Sequence, residues 1–275
     1  MGCGSKDALS LADITKTFRY RGEWYPTVAD TSLSARDGEV VSLVGPSGCG
    51  KSTLLNMIAG LVVPDTGHIA CGGDVVRGPN TRVGYLTQDD ALLPWRTVRS
   101  NVALPLEIRG LPRSERRARA MDILGQVGLG GFERHYPAQL SGGMRKRVSL
   151  ARTLVSDVRT LLLDEPFGAL DAQTRVLSQR LLTSLVERMQ LTVVLVTHDL
   201  DEAITLSDRV VVLSRRPARI LDVVSIPLAR PRDVTEKSSE HMHLYRQIWT
   251  TLAEQLEVKQ ESERDLGPAA RSEGE

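Results

Sequence analysis

The sequence predicts an α/β fold with a mostly parallel sheet, an antiparallel β region at the N-terminus and an inserted helical segment. The apolar run 39–44, the glycine-rich segment 45–53 and the apolar run 54–59 have the order strand, loop, helix. Short apolar runs at 160–163, 192–197 and 209–214 alternate with helical segments, which is typical of a buried parallel sheet. Several short β-like runs precede residue 45 without helices between them, which favours antiparallel pairing there.

The N-terminal region begins with a β-like run at Leu9–Thr15 and contains an aromatic cluster. Phe18, Tyr20, Trp24 and Tyr25 lie close together in a chain with only 4% aromatic residues. Because a purine presents a flat face to an aromatic ring, Phe18 is a candidate platform for a nucleotide base. Packing in the core or in a turn explains most of these aromatics equally well.

The glycine-rich segment has the spacing of a phosphate-binding loop. Its residues are Gly45, Pro46, Ser47, Gly48, Cys49, Gly50, Lys51, Ser52 and Thr53. Glycines let the backbone N–H groups approach phosphate oxygens near a helix N-terminus. We expect Lys51 to supply a positive charge to the β- and γ-phosphates, and Ser52 a hydroxyl to Mg²⁺. A simple glycine-rich turn is the alternative, which the fixed spacing disfavours.

Composition limits the remaining possibilities. The 275 residues suffice for one large or two modest domains, and 35 Lys and Arg against 34 Asp and Glu give no support to a nucleic-acid binder. No signal peptide and no apolar run of membrane-spanning length is visible, so we expect a cytoplasmic or peripheral protein. The three cysteines have no paired spacing, which favours a reducing compartment. Cys49 beside Lys51 is either a reactive thiol or a small tolerated residue, and we favour the latter.

Polar residues follow three of the predicted strands. In open α/β sheets ligands bind beyond the carboxyl ends of the strands. We expect Asp164 to hold Mg²⁺ opposite Ser52, and Glu165 to act as general base or to orient water. His198 is a candidate for the γ-phosphate, or else a residue that satisfies a helix terminus. Gln88 is a candidate oxygen ligand for Mg²⁺ or the water.

A second anion-binding helix start follows at Ser141, Gly142 and Gly143, with Ser141 as the predicted N-cap. One γ-phosphate does not need two such sites in one chain. The hypothesis that resolves this is a head-to-tail dimer, in which this segment closes over the nucleotide of the other subunit.

The flanking segments complete the predicted organisation. Residues 1–8 form a flexible N-terminus, 9–225 the main domain with a helical subdomain at about 89–155, and 226–258 an extension. Leu244, Ile248, Leu252 and Leu256 recur every four residues and predict an amphipathic helix in the extension. The arginine-rich run 113–119 is interpreted as a solvated helix face, with contact to an acidic partner or lipid as the alternative. The polar residues 259–275 predict a disordered tail.

In their order along the chain, these motifs resemble the ATP-binding subunit of an ABC transporter over about residues 9–225. The resemblance implies a P-loop NTPase fold of the ABC type, with ATP and Mg²⁺ as cofactors. It also implies a role for each matching residue: Phe18 stacks on adenine, Gly45–Thr53 is the Walker A loop, Gln88 the Q-loop, Ser141–Gly143 the signature that reaches the partner's ATP, Asp164 the Walker B aspartate, Glu165 the catalytic glutamate, Asp171 the D-loop and His198 the switch histidine.

Finer motifs, including Asp90–Trp95 and His198–Ala203, resemble the nitrate, sulfonate and taurine type of import ATPase. Such proteins work with a second ATPase subunit, with integral membrane permease subunits that insert a coupling helix just after the Q-loop, and with an extracytoplasmic solute-binding protein. The resemblance therefore implies a peripheral position on the cytoplasmic face of the cell membrane. Lys146 and Val158 depart from the family pattern, at positions where Gln and Pro are common, and Lys146 is a candidate to alter the dimer contact.

Other interpretations stay open at this point. Because the aromatic region is longer than is usual, Tyr20 or Tyr25 are alternatives to Phe18 as the base platform. A soluble ABC ATPase that acts on ribosomes or DNA is a second functional class, although such proteins commonly carry two cassettes or long coiled coils. A regulatory ATP-binding module without turnover is a third, disfavoured because Lys51, Asp164 and Glu165 are all present.

Overall fold

The computed structural model describes residues 7–230, 232 and 237–265, with the backbone alone for 256–265. The strands are β1 Asp7–Tyr20, β2 Glu23–Arg36, β3 Val40–Val44, β4 Thr66–Cys71, β5 Asp74–Val75, β6 Val83–Leu86, β7 Thr160–Asp164, β8 Thr192–Val196, β9 Arg209–Leu213 and β10 Ile220–Ser225. The α-helices are α1 Lys51–Ile58, α2 Val98–Ile108, α3 Arg113–Gln126, α4 Gly142–Leu154, α5 Ala172–Met189, α6 Leu200–Leu206 and α7 Ser239–Asp265, and a 3₁₀ turn spans Pro137–Gln139.

Six strands form the main sheet in the order β10-β9-β3-β8-β7-β6. The strands from β9 to β6 are parallel, and β10 is antiparallel to β9. Every residue of β3, β7 and β8 is buried, which is why these strands are continuous apolar runs rather than alternating ones. The predicted α/β fold with a mostly parallel sheet is confirmed.

A second, antiparallel sheet has the order β2-β1-β4-β5, as predicted for the N-terminal region. Its strands β1 and β2 are fourteen residues each, longer than the predicted run at Leu9–Thr15. They meet in a tight turn at Arg21 and Gly22, whose φ angles of 50° and 90° suit a two-residue hairpin. The sequence pattern missed this length because residues 18–20 and 22–24 are exposed and show no apolar alternation.

Helices cover both faces of the main sheet. Helix α1 packs between the two sheets through Leu54, Leu55 and Ile58, all less than 2% exposed. Helices α2 to α4 form a helical subdomain between β6 and β7, close to the predicted range 89–155. Within it the buried Asn101 donates from Nδ2 to three backbone carbonyls at 93, 96 and 97 and accepts from the N–H of Leu93, which fixes the loop before α2.

The C-terminal extension packs on β9, β10 and α6. Helix α7 buries Leu244 and Ile248 in a cluster with α6 and β9, on the predicted amphipathic face. This helix continues to Asp265 and so includes residues 259–265 of the predicted disordered tail. Residues 7 and 8 of the predicted flexible N-terminus belong to β1, while 1–6 and 266–275 lie outside the described residues. Over the part of the chain that the structure describes, no helix combines the length and apolarity of a membrane span.

Candidate active site

Four adjacent strands bring the predicted site residues to one edge of the main sheet. Strand β3 leads into the glycine-rich loop, β8 into His198, β7 into Glu165 and β6 into Gln88. These strands are neighbours in the order β3-β8-β7-β6, and every pairing among them is parallel. Their carboxyl ends therefore lie side by side, where ligands of open α/β sheets bind.

A cleft of about 390 Å³ opens beside the loop. The residues that line it are Phe18, Thr27, Ser47, Gly48, Gly50, Lys51, Ser52, Thr53, Glu165, Val196 and Arg216. Of the candidate base platforms, Phe18 lines the cleft, and its ring lies 5.5 Å from Lys16 Nζ. Neither Tyr20 nor Tyr25 is among the described residues that line the cleft. The Tyr25 hydroxyl instead donates to Glu23 at 2.7 Å.

The loop has the backbone that its glycines predict. Gly48 and Gly50 have φ angles of 73° and 126°, which L side chains rarely adopt. A Cβ on Gly50 would also lie 2.8 Å from the carbonyl oxygen of Thr27, because β2 packs directly against the loop. The buried ammonium of Lys51 donates to the carbonyls of Gly45 at 2.8 Å and Pro46 at 2.9 Å. Since these acceptors are neutral, the positive charge remains available to an anion.

Cys49 lies inside the loop and is 1% exposed. Burial raises the pKa of its thiol above the ordinary value, despite the opposing charge of Lys51. A thiol that stays protonated is a poor nucleophile, so the structure favours the small tolerated residue over the reactive thiol.

Asp164 and Ser52 come together as predicted. The hydroxyls of Ser52 and Tyr85 both hydrogen-bond to the Asp164 carboxylate, whose pKa is raised by burial and by the nearby charge of Glu165. Burial and the Asp164 charge also raise the pKa of the Tyr85 hydroxyl. Among the described residues no group of three or more His, Cys, Asp or Glu can hold a metal alone. One carboxylate and one hydroxyl fit Mg²⁺, which takes its other ligands from phosphates and water.

Glu165 lies between two of the other predicted residues. Its Oε1 is 3.3 Å from His198 Nδ1, and its Oε2 accepts from Gln88 Nε2 at 3.4 Å. The backbone has φ of 46°, a strained value for a glutamate, and the N–H donates to the carbonyl of Val196 at 2.9 Å. The structure thus holds the carboxylate at the cleft between two polar side chains from neighbouring strand ends.

The second predicted anion site, Ser141–Gly143, lies at the start of α4. Ser141 caps α4 by accepting from the N–H of Met144, and Asp171 caps α5 by accepting from Thr174 at 2.9 Å. A Cβ on Gly143 would lie 2.3 Å from Thr174 Cγ2, so the two helix starts are in contact. Among the described residues that line the cleft there is no member of either helix start.

Lys146, one of the departures from the family pattern, is buried within its own subunit. Its ammonium donates to the backbone carbonyl of Gln88 and lies 3.3 Å from a carboxylate oxygen of Asp90. On the same helix, Ser149 and Arg152 donate to the carbonyl of Asp90, both at 2.9 Å. Helix α4 therefore holds the segment that follows β6.

Sequence reasoning missed three residues of the site. Tyr85 is the lone aromatic in the strand before Gln88, and an aromatic hydroxyl there was the one available signal. Thr27 and Arg216 line the cleft from segments far from the loop in sequence. No local pattern marks either of them, because their positions arise from tertiary packing.

Comparisons with known proteins agree with this geometry. A family model described as ABC transporter matches residues 28–168. An uncharacterized ABC transporter ATP-binding protein of Methanocaldococcus jannaschii is 45% identical over 251 residues, 91% of this chain and 93% of that protein. The taurine import ATP-binding protein TauB of Pseudomonas putida is 47% identical over 204 residues, 74% of this chain and 78% of that protein. The dimeric post-hydrolysis structure of the ATP-binding cassette MJ0796, bound to ADP and Pi, covers 80% of this chain and 100% of that chain at 32% identity and a TM-score of 0.71.

The buried carboxyl of Glu202, on the helix that follows His198, makes the free energy of unfolding depend on pH. Burial raises the pKa of Glu202 from 4.5 to about 7, although Thr197 and Gln179 hydrogen-bond to it. The folded protein therefore binds this proton more tightly than the unfolded chain, and stability falls as the pH rises from about 4.5 through 7. We expect Glu202→Gln to gain stability relative to the parent by an amount that grows between pH 5 and 8, to on the order of 3 kcal/mol.

Thermal melts at pH 5, 6, 7 and 8 measure this difference. Glu187→Gln, the same change at an exposed site on α5, is the matched control and should shift the melting temperature equally at every pH. If the difference in melting temperature between Glu202→Gln and the parent does not vary with pH, the raised pKa of Glu202 is contradicted.

Proposed function

We propose that this chain, which belongs to the ABC transporter family of ATP-binding proteins, drives the uptake of a small anionic solute through a separate permease. The chain is an ATP-hydrolysing enzyme that uses Mg²⁺. The observation that carries the hydrolytic part is the group Lys51, Asp164 and Glu165 at one edge of the sheet. The importer part is supported by the identity of 45–47% to taurine import ATP-binding proteins.

The proposed roles follow from the contacts. The N–H groups of the loop 45–50 and the ammonium of Lys51 bind the phosphates, because the carbonyls that hold Lys51 are neutral and leave its charge available. Ser52 and Asp164 hold Mg²⁺, with Gln88 as a further oxygen donor. When bound, the metal neutralises charge on the phosphate oxygens.

Glu165 orients and deprotonates the attacking water in this proposal. Its carboxylate is the acceptor at the cleft, and Gln88 and His198 restrict its orientation from both sides. Because such catalysis depends on geometry, holding the base in one position is the main contribution of these neighbours. His198 also has a side chain that is 62% exposed, which leaves it accessible to the γ-phosphate.

Replacing Glu165 by Gln keeps the size of the side chain and one acceptor oxygen for Gln88, but it removes the base. We expect ATP affinity within about twofold of the parent and hydrolysis lower by about 10²- to 10³-fold. Binding is measured with a fluorescent ATP analogue and turnover by phosphate release. Glu187→Gln on the surface of α5 is the control, and near-parental hydrolysis by Glu165→Gln would refute the base assignment.

The ATP site is completed, we propose, by a second copy of the chain in head-to-tail orientation. Ser141, Gly142 and Gly143 start a capped helix with free N–H groups, yet they do not line the cleft among the described residues of their own subunit. Asp171 caps the adjoining helix. The dimeric cassette bound to ADP and Pi, to which this chain is similar, supports the arrangement.

Ser141→Asp tests the shared site while keeping the helix cap, since Asp is as good an N-cap as Ser. We expect unchanged nucleotide binding by the monomer, but loss of the ATP-induced dimer and at least a tenfold loss of hydrolysis, because the new carboxylate repels the γ-phosphate. Dimer formation is followed by size-exclusion chromatography in a Glu165→Gln background. Thr97→Asp, which replaces the N-cap of α2, is the control. Full activity of Ser141→Asp would exclude the shared site.

The permease docks, in this proposal, on the helical subdomain after Gln88. A groove of about 550 Å³ runs there between the start of α2 and α3, with Trp95, 72% exposed, in its lining. An exposed tryptophan at a groove is typical of an interface anchor. A cassette docked in this way is a peripheral protein on the cytoplasmic face of the membrane, and it is linked to the extracytoplasmic solute-binding protein only through the permease.

Trp95→Ala tests this docking in a complex co-expressed with the candidate permease subunits. We expect recovery of the variant with the permease to fall at least tenfold, while ATP hydrolysis by the isolated subunit stays parental. Trp24→Ala removes a tryptophan of similar exposure, 68%, and serves as the control. Equal recovery of both variants would refute the groove, and association of the parent with ribosomes or DNA instead of a permease would favour the non-transport alternative.

A further inference from the structure

Arg216 occupies a place in the ATP cleft to which no motif assigns a role. It lies in the loop between β9 and β10 and lines the cleft together with Phe18, Gly50 and Thr53. Of the described residues in that lining, Lys51 and Arg216 are the two cations. Lys51 belongs to the phosphate-binding loop, whereas Arg216 comes from a different edge of the site.

Three hydrogen bonds fix the guanidinium of Arg216 to strand β2. Nε donates to the carbonyl of Pro26 at 3.0 Å, and Nη2 donates to the carbonyl of Tyr25 at 3.3 Å and the hydroxyl of Thr27 at 3.1 Å. The guanidinium carbon also lies 5.2 Å from the centre of the Tyr25 ring. These contacts order the side chain before any ligand arrives, which lowers the entropic cost of binding.

Arg216 is exposed to solvent, and no carboxylate of the described residues neutralises its charge. Its acceptors are two carbonyls and a hydroxyl, and within the described part of the chain it forms no ion pair. Nη1 has no hydrogen-bond acceptor among the described residues. A fixed guanidinium with a free donor and an unpaired charge matches the oxygens of a phosphate group.

The location of Arg216 indicates which phosphate it meets. Tyr25 and Pro26, to which it is bonded, pair across the hairpin with Phe18 and Thr17. Arg216 therefore lies one strand away from the ring that is the candidate base platform. Of the three phosphates of ATP, the α-phosphate is the nearest to the base.

We propose that Arg216 is a nucleotide-binding residue that donates to the α-phosphate of ATP, beside the base platform Phe18. The contact is separate from those of Lys51 with the β- and γ-phosphates. It concerns binding of the nucleotide by a single subunit, so it holds whether or not the chain serves an importer.

The experiment measures dissociation constants of the full-length chain for ATP, ADP and adenosine, by competition with a fluorescent ADP analogue. We expect Arg216→Gln to weaken ATP and ADP by about tenfold each, since both carry the α-phosphate, and to leave adenosine within twofold. Arg216→Lys keeps the charge and should recover most of the affinity. Arg219→Gln, an exposed arginine of the same loop outside the cleft lining, is the control for net charge and should bind as the parent does.

Any of three other outcomes would overturn the proposal. Parental ATP and ADP affinity in Arg216→Gln would exclude the contact. Equal weakening of ATP, ADP and adenosine would assign Arg216 to the base instead. Equal losses in the Gln and Lys variants, with a matching fall in the melting temperature, would make Arg216 only a structural link between the loop and β2, since both variants lose the Nε donor that binds the carbonyl of Pro26.

Discussion

The parallel hydrogen bonding of β3, β8, β7 and β6 is the constraint on which the site depends. It sets the loop, His198, Glu165 and Gln88 side by side, although they are spread over about half of the chain. A slip of one residue between β7 and its neighbours would move Asp164 by about 3.3 Å, more than a hydrogen bond to Ser52 tolerates. The complete burial of β3, β7 and β8 opposes such a slip, because the helices on both faces pack against a particular set of side chains.

The fold and most of the candidate site could be predicted because both depend on local sequence. A strand, a glycine-rich loop and a helix succeed one another within twenty residues, and each polar site residue directly follows its own apolar run. What the sequence could not predict depends on contacts between distant segments. Arg216 meets Thr27 across 189 positions, and no periodicity records such a pairing. The continuation of α7 to Asp265 has another origin, since its polar residues 259–265 have the composition of a tail and no apolar pattern there indicates a helix.

The N-termini of α1 and α4 both carry partial positive charge but lie at different surfaces of the molecule. At α1 the cationic loop faces a cleft of its own chain, whereas the capped N-terminus of α4 is not among the described residues that line that cleft. Both ends carry partial positive charge, so two such surfaces repel each other when nothing lies between them. In the proposed dimer the nucleotide is the anion that both ends share, and its charge is therefore a condition for association as well as for binding.

Helix α4 links the helical subdomain to the segment that follows β6. Lys146, Ser149 and Arg152 hold backbone carbonyls of the segment after β6, so a tilt of the helical subdomain displaces the backbone of Gln88 with it. The amide of Gln88 lies 3.4 Å from Glu165, at the outer limit of a hydrogen bond, and a shift of about 0.5 Å decides whether that bond exists. The orientation of the outer subdomain would thereby decide the presence or absence of one contact at the carboxylate of Glu165, the proposed base.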